Sequence, residues 1–322
     1  MSLSRRVKLS AAAALALTLA ACSSPAPDAS SQASSEASST SQSTVAEVFD
    51  QVKVLCPQGA PALATIGFEQ EDADVDYVEG QDMLMSELTK TDGEYDMIIA
   101  PVNVGIKTWK EAQAYEMAGI LTWGNLYVVS ADEDWNEPDK TIALFGEGAV
   151  PGLVFDSVFP DLKATGEYYP SVAEASAALI GGKADAALLA QPAAAGAINK
   201  ASQNDVELAI VDDLQQMWQE QHETARTGYP QAALFVRKGD ADKCAHAMDQ
   251  MKSFIDSADT ARVEEAVELL TPETLGVPSA KLAAATWQQQ NIHFEPAADV
   301  KEDLQKFLDV FGMQIPDGLI LE

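Results

Sequence analysis

The chain is poor in positive charge. It carries 20 Lys and Arg against 50 Asp and Glu, a formal net charge of −30 over 322 residues. A body this acidic repels nucleic acid and anionic lipid surfaces, so a nucleic-acid-binding role is excluded. Histidine is scarce and scattered, at His222, His246 and His293. "QHETAR" lacks the second histidine four residues on that a metalloprotease helix requires. The three cysteines, Cys22, Cys56 and Cys244, have no zinc-type spacing. No G-x-S-x-G elbow, phosphate loop or dinucleotide fingerprint occurs. The expectation is a protein that is not an enzyme and carries neither cofactor nor metal.

Long apolar runs are missing too. The apolar stretch at residues 9–19 is too short to span a bilayer, and it follows Arg5, Arg6 and Lys8. This is the pattern of a signal peptide, and an ordinary secretory signal is expected over a twin-arginine one. The stretch closes on Leu19-Ala20-Ala21-Cys22, which resembles a bacterial lipobox. Residues 1–22 are then a lipoprotein signal ending at Cys22, which would carry the lipid and become the mature N-terminus. Two or more acyl chains would hold the protein on a membrane. Residues 23–46 are rich in Ser, Ala and Thr. They have too little apolar surface to offset ordering entropy and read as a disordered tether. Cys56 and Cys244 read as two small buried thiols, although the sequence leaves a disulfide between them open.

The remaining body is long enough for two lobes. Four short apolar runs each open through a loop into a helical pattern. The first is 52–56 followed by Pro57-Gln58-Gly59-Ala60. The second is "MIIA" followed by Pro101-Val102-Asn103. The third is 141–145 followed by Gly146-Glu147-Gly148, and the fourth is 186–190 followed by Gln191-Pro192. Such alternation predicts βαβ units and an α/β fold with a mostly parallel sheet in each lobe. The junctions fall into two equally spaced pairs. Gly93-Glu94-Tyr95-Asp96 precedes the second and Gly182-Lys183-Ala184-Asp185 precedes the fourth, so the two lobes should share one architecture.

"LTWGNLYVVS" and "GYPQAALFVRKGD" then read as two hinge strands, one leaving the first lobe and one returning. This places the first lobe at 47–128 plus 232–322 and the second at 129–231. Helices are expected at about 240–256, 258–269, 278–289 and 297–311, with Asp240 capping the first. Met83 and Met85 are expected on a packed helix face.

Lipobox, tether, two α/β lobes and two hinge strands together resemble the substrate-binding lipoproteins of ABC importers. "DMIIAPVNVG" followed by "LTWGNLYVVS" is similar to the NitT/TauT-like group within the type II periplasmic-binding fold, which binds nitrate, sulfonates and thiamine-pyrimidine precursors. The resemblance implies a monomer, lipid-anchored on the extracytoplasmic face of the cell membrane. It would close on a small polar metabolite or anion and deliver it to a permease with its ATPase. Service to a sensor is the alternative. An enzyme making the thiamine pyrimidine is a remoter one, since Cys56 and Cys244 do not reproduce that branch's Cys-rich motif.

Ligands of open α/β sheets sit beyond the carboxyl ends of the strands, where helix starts present unpaired N–H groups. The candidate binding residues are therefore Gln58, Gly59, Ala60, Pro101, Val102, Asn103, Glu147, Gly148 and Gln191. Asn103 is also a candidate N-cap. Near the hinge, Trp123 and Tyr229 would either stack on a ligand or pack the hinge. Asn125 is a polar contact or a turn residue, and Glu147 a ligand contact or a solvated side chain. Lys107 and Arg226 are the nearest bases, and neither is enough to define an anion site.

Overall fold

The computed structural model describes residues 51–68 and 72–322. The signal peptide, the tether and Cys22 lie outside the described residues. Among those described, no helix is long and apolar enough to cross a membrane.

The chain first lays down β1 (Val52–Pro57), α1 (Ala60–Leu63), β2 (Ala73–Val78), α2 (Asp82–Leu88), β3 (Met97–Pro101), α3 (Val102–Ala112) and β4 (Tyr115–Thr122). It then enters a second set. This opens with β5 (Leu126–Ser130), β6 (Thr141–Phe145), α4 (Val150–Val158), β7 (Thr165–Tyr169) and α5 (Val172–Ile180). It closes with β8 (Ala186–Ala190), α6 (Ala193–Ser202), β9 (Ala209–Asp213) and α7 (Leu214–His222). The chain returns through β10 (Ala232–Arg237), α8 (Ala241–Ser257), α9 (Thr260–Leu270) and α10 (Pro272–Leu275). It ends with α11 (Ala280–Ala285), β11 (Ile292–Pro296) and α12 (Lys301–Asp309).

Two sheets result. The order is β11-β4-β10-β3-β1-β2 in the first and β7-β6-β8-β5-β9 in the second. Each contains the same motif: three parallel strands, one reversed strand, then a strand in the original direction. The reversed strand is in each case the first to arrive from the other lobe, β10 in one sheet and β5 in the other. The sheets are thus mixed, which corrects the expected mostly parallel pairing. Most strands still point one way, but β10 and β5 each make two antiparallel pairings and the edge strand β11 adds one more.

The repeated G-x-x-D has a structural cause. Asp96 stands just before β3, and its Oδ2 accepts the backbone N–H of Lys53 at the start of β1, 43 residues away and at 2.9 Å. Asp185 stands just before β8, and its Oδ2 accepts the N–H of Thr141 at the start of β6, 44 residues away and at 2.8 Å. In return, Asp96 N donates to Lys53 O and Asp185 N to Thr141 O. Each aspartate therefore ties the entry of one parallel strand to the entry of its neighbour.

The two crossings run side by side. Tyr229 N donates to Trp123 O at 3.0 Å and Gln231 N to Thr122 O at 2.9 Å. Gly228 sits at φ +99, and a Cβ there would lie 1.9 Å from Trp123 O, so only glycine fits. β5 lies wholly in the second sheet. The sheets thus change over residues 123–125, a few residues before the 128/129 boundary placed from sequence.

One apolar core runs through both sheets. It joins Leu55, Ile98 and Ile120 to Val128, Ile142 and Leu188, with Leu304 and Phe307 of α12 beneath. Phe307 stacks on Tyr229 at 5.8 Å and meets Trp218 of α7 at 5.9 Å, so α12 braces the second lobe against the first. Cys56 and Cys244 are free and buried. Burial raises both thiols, Cys244 to about 12, which leaves them as packing groups.

Helices appear where the tail pattern placed them, the third ending in a 3-10 turn at Trp287–Gln290. Asp240 takes the N-cap position of α8, but its carboxylate makes no capping bond and instead accepts from Arg237 Nε at 2.6 Å. Met83 and Met85 are exposed rather than packed. The buried face of α2 is Leu84, Glu87 and Leu88.

Candidate functional site

The carboxyl ends of β1, β3, β6 and β8 open onto one cleft of about 820 Å³. Four loops reach it, two from each sheet. After β1, Gly59 takes φ +95 and donates its N–H to Leu275 O at 2.8 Å. Gln58 Nε2 donates to Thr274 O at 3.0 Å. That loop is thus pinned to α10, and Ala60 faces the cleft from the start of α1. After β3, Pro101 takes the N-cap position of α3, and Val102 N is held by Gln231 O at 3.1 Å. After β6 the lining is Ala149, Val150 and Pro151; after β8 it is Gln191, Pro192 and Ala193.

Two helices supply the wall of the second lobe. α5 contributes Ala173, Ser176, Ala177 and Ile180, and α6 contributes Ala193, Gly196, Ala197 and Lys200. Each set has i, i+3, i+4, i+7 spacing and so lies on one helical face. The first lobe opposes them with Gln81 and Leu84 and with Gly276, Val277 and Pro278.

Among the described residues the lining contains no carboxylate and no aromatic ring, although the chain's net charge is −30. Among those residues its one charged side chain is Lys200, which is exposed. What the cleft offers instead is backbone. α4 and α6 begin in the lining, with first-turn N–H groups that have no acceptor within the helix and with a positive partial charge, whereas the start of α3 is buried outside it.

The floor of the cleft is built of side-chain amides. Gln191 Oε1 accepts from Ala195 N at 3.2 Å, one of the first-turn N–H groups of α6. Its Nε2 donates to Gln289 Oε1 at 2.9 Å, a link from the second lobe to the first. Tyr127 O–H donates to Gln289 O at 2.7 Å and reinforces that link. Burial and the neighbouring Asp213 push the Tyr127 hydroxyl well up, so it stays a donor. Asn125 Nδ2 donates to Gln191 O at 2.9 Å. Asn125 Oδ1 and Gln231 Oε1 are buried without a partner.

Of the residues singled out from sequence, Gln58, Gly59, Ala60, Pro101, Asn125 and Gln191 come together in the lining. The others lie outside it. Val102 and Asn103 are buried behind Pro101, and Asn103 is the second helical residue rather than the cap. Its Oδ1 also lacks a partner. Glu147 and Gly148 are exposed on the turn before α4. Trp123 is fully buried, stacked on His293 at 5.2 Å, with its Nε1 donating to His293 O. Tyr229 is fully buried against Phe307. Hinge packing describes both rings. Arg226 pairs with Glu295 at 3.3 Å and Asp303 at 3.5 Å, beside Trp123, and Lys107 is exposed.

Sequence reasoning missed Gln231 and the α5 and α6 faces. The signal for the faces was there: small residues on one helical face, which read equally as core packing.

No protein-family model matches the sequence, and no curated protein matches it. Solved structures do. An ABC transporter structure from Parabacteroides distasonis is 19% identical, over 84% of this chain and 99% of that one, with a TM-score of 0.69. The periplasmic aliphatic sulphonate binding protein of Escherichia coli is 14% identical, over 82% of this chain and 92% of that one, at 0.56. A putative nitrate transport protein from Thermoplasma volcanium is 12% identical, over 83% and 97%, at 0.51. At such identities the likeness speaks for the architecture: this chain has the two-lobed type II periplasmic-binding-protein fold.

Proposed function

We propose that this protein is the extracytoplasmic solute-binding component of an ABC importer. It captures a small polar molecule between its lobes and presents it to a permease. The observation that carries this reading is the convergence of four strand-end loops, two from each sheet, on one cleft of about 820 Å³. Its walls are small side chains and helix starts, which hold a ligand without altering it. The ligand's binding to the closed form must exceed its binding to the open form for the lobes to shut on it. The sulphonate- and nitrate-related structures of the same fold agree with this role.

A micromolar complex needs about −8 kcal/mol. Hydrogen bonds to a polar or charged head are worth roughly 1 to 3 kcal/mol each. A few donors from each lobe therefore suffice, and no arginine is required. A lipid on Cys22 would hold the body at the outer face of the membrane through the segment that follows.

A thermal-shift screen of small polar metabolites tests the binding role. A true ligand at 100 times its Kd adds about 2.7 kcal/mol of stability. No stabilisation by any class of solute would sink the reading. For the anchor, Cys22→Ser should release the protein from membranes; a variant that stays bound would refute lipidation.

A further inference from the structure

We propose that Gln289, which lies outside the cleft lining, is a positioning residue for solute capture: from the first lobe it holds the start of α6, a wall of the second, and latches the two lobes where they meet beside the crossings. The proposal rests on reading the cleft as the solute site.

Gln289 stands on the first lobe, in the 3-10 turn Trp287–Gln290 that follows α11. The turn is anchored from below. Trp287 and Gln290 are buried, and Gln290 Nε2 donates to Ala283 O at 3.1 Å. Gln289 itself is exposed and reaches the second lobe twice. Its Oε1 accepts from Gln191 Nε2 at 2.9 Å, and its backbone carbonyl accepts from the Tyr127 hydroxyl at 2.7 Å. The direction of the amide pair is fixed. Gln191 Oε1 accepts from Ala195 N, so the other end of that amide is the donor, and Gln289 presents its oxygen.

Gln191 has little freedom elsewhere. It is 3% exposed, its N–H donates to Asn125 O at 3.0 Å, and its carbonyl accepts from Asn125 Nδ2 at 2.9 Å. Gln289 therefore ends a chain of bonds that runs through Gln191 to the first turn of α6, whose Ala193, Gly196 and Ala197 line the cleft. The contact between the lobes extends to either side of it. Two residues on, Asn291 O accepts from Trp123 N at 2.9 Å, and Asn291 Nδ2 donates to Trp123 O at 2.8 Å. Seven residues before it, Leu282 of α11 meets α6: a Cβ on Gly196 would lie 3.4 Å from Leu282 Cδ2. Every bond in this seam is within the chain. It draws the lobes together before a solute adds its own contacts, and so biases the equilibrium on which capture depends.

The test is amide hydrogen exchange of the full chain without solute. Gln289→Met keeps the length of the side chain and removes its acceptor. Exchange at Ala195 and its neighbours in the first turn of α6 should then rise about fivefold, the worth of one hydrogen bond. Gln289→Glu keeps an oxygen for Gln191 Nε2 and should stay within about twofold of the wild type. Adding Gln289→Met to Gln191→Met should change nothing further, because the effect passes through Gln191. Lobe separation is read in the same variants as the distance between nitroxides at Met85→Cys and Glu174→Cys, exposed positions on α2 and α5, one in each lobe. Cys22→Ser removes the third thiol, and Cys56 and Cys244 are buried and take no label. The distances should spread to longer values in Gln289→Met and match the wild type in Gln289→Glu, with melting to show that each variant is folded. Exchange in Gln289→Met within about twofold of the wild type, an unchanged distance distribution, or a Gln289→Glu as loose as Gln289→Met would overturn the proposal. Neither readout uses a solute, so such a failure leaves the cleft reading standing. Ser176→Trp, which puts a large ring into the lining, tests that reading instead: a solute from the thermal-shift screen that stabilises variant and wild type alike would refute it.

Discussion

Asp96 and Asp185 perform one task in two settings. Each ties the entry of a central strand to the strand beside it. In the first lobe the Asp96 side chain is 4% exposed and meets Arg237 and Lys243. In the second lobe the Asp185 side chain is 40% exposed, with Lys140 only at 3.9 Å. The backbone tie is common to both; the buried ion cluster belongs to one. The first lobe also carries the tail helices and both chain crossings, so its tie is set where more of the molecule depends on it.

The comparison can be broken by removing each carboxylate. Asp96→Ala removes a buried carboxylate from Lys243 and from Arg237, which keeps Asp240, and should cost about 3 kcal/mol in denaturant unfolding. Asp185→Ala loses a hydrogen-bonded tie in a wetter place and should cost about 1 kcal/mol. Equal losses would show that burial is not what separates the two lobes.

Glycines at positive φ give the next contrast. Gly228 has no room for a Cβ, whereas Gly148, at φ +66, has open space around it. Gly228→Ala should cost more than about 2 kcal/mol, since the crossing must shift, and Gly148→Ala only about 1 kcal/mol of backbone strain. Similar melting temperatures for the two variants would contradict the close packing of the crossings.

The junctions after β3 and β8 differ in how they are sealed. Pro101 and Val102 close the first by backbone, while Gln191 closes the second by a side chain shared with Gln289 of the first lobe. Gln191→Ala should cost about 1 kcal/mol. It should also weaken solute binding, because it loosens a link between the lobes. Gln58→Ala, in the other lobe, removes a side chain that bonds to the α10 turn and should weaken binding less. The reverse order would shift the closure contacts to the first lobe.

The smallest effect is one of pH. Burial lowers the pKa of His222 and of His293. The folded form thus prefers both rings neutral, while the unfolded chain takes up protons near the ordinary value of 6.5. Their contribution is present above that value and is lost as pH falls below it. Between pH 7 and 5.5, His293→Gln should lose less stability than the wild type. An identical slope would contradict the shift.

Legibility in the sequence followed burial. β3 and β8 are covered on both faces, so "MIIA" and "AALLA" were plain apolar runs. β7 and β9 lie at the sheet edge, half exposed, and "TGEYY" and "AIVDD" carry little pattern. The loops at strand ends could be read because a strand must open into its helix somewhere. The α5 and α6 faces could not, since the small residues that line a cleft are those that pack a core. Trp123 and Tyr229 lie where the two crossings meet, but chain position does not say which way a ring points. His293 and Phe307, far along the chain, decide that.

The cleft itself is tested most directly by titrating Ser176→Trp beside the wild type with a solute that stabilises the wild type. The account predicts that the variant melts like the unliganded wild type and no longer binds. Undiminished binding by the plugged variant would contradict it.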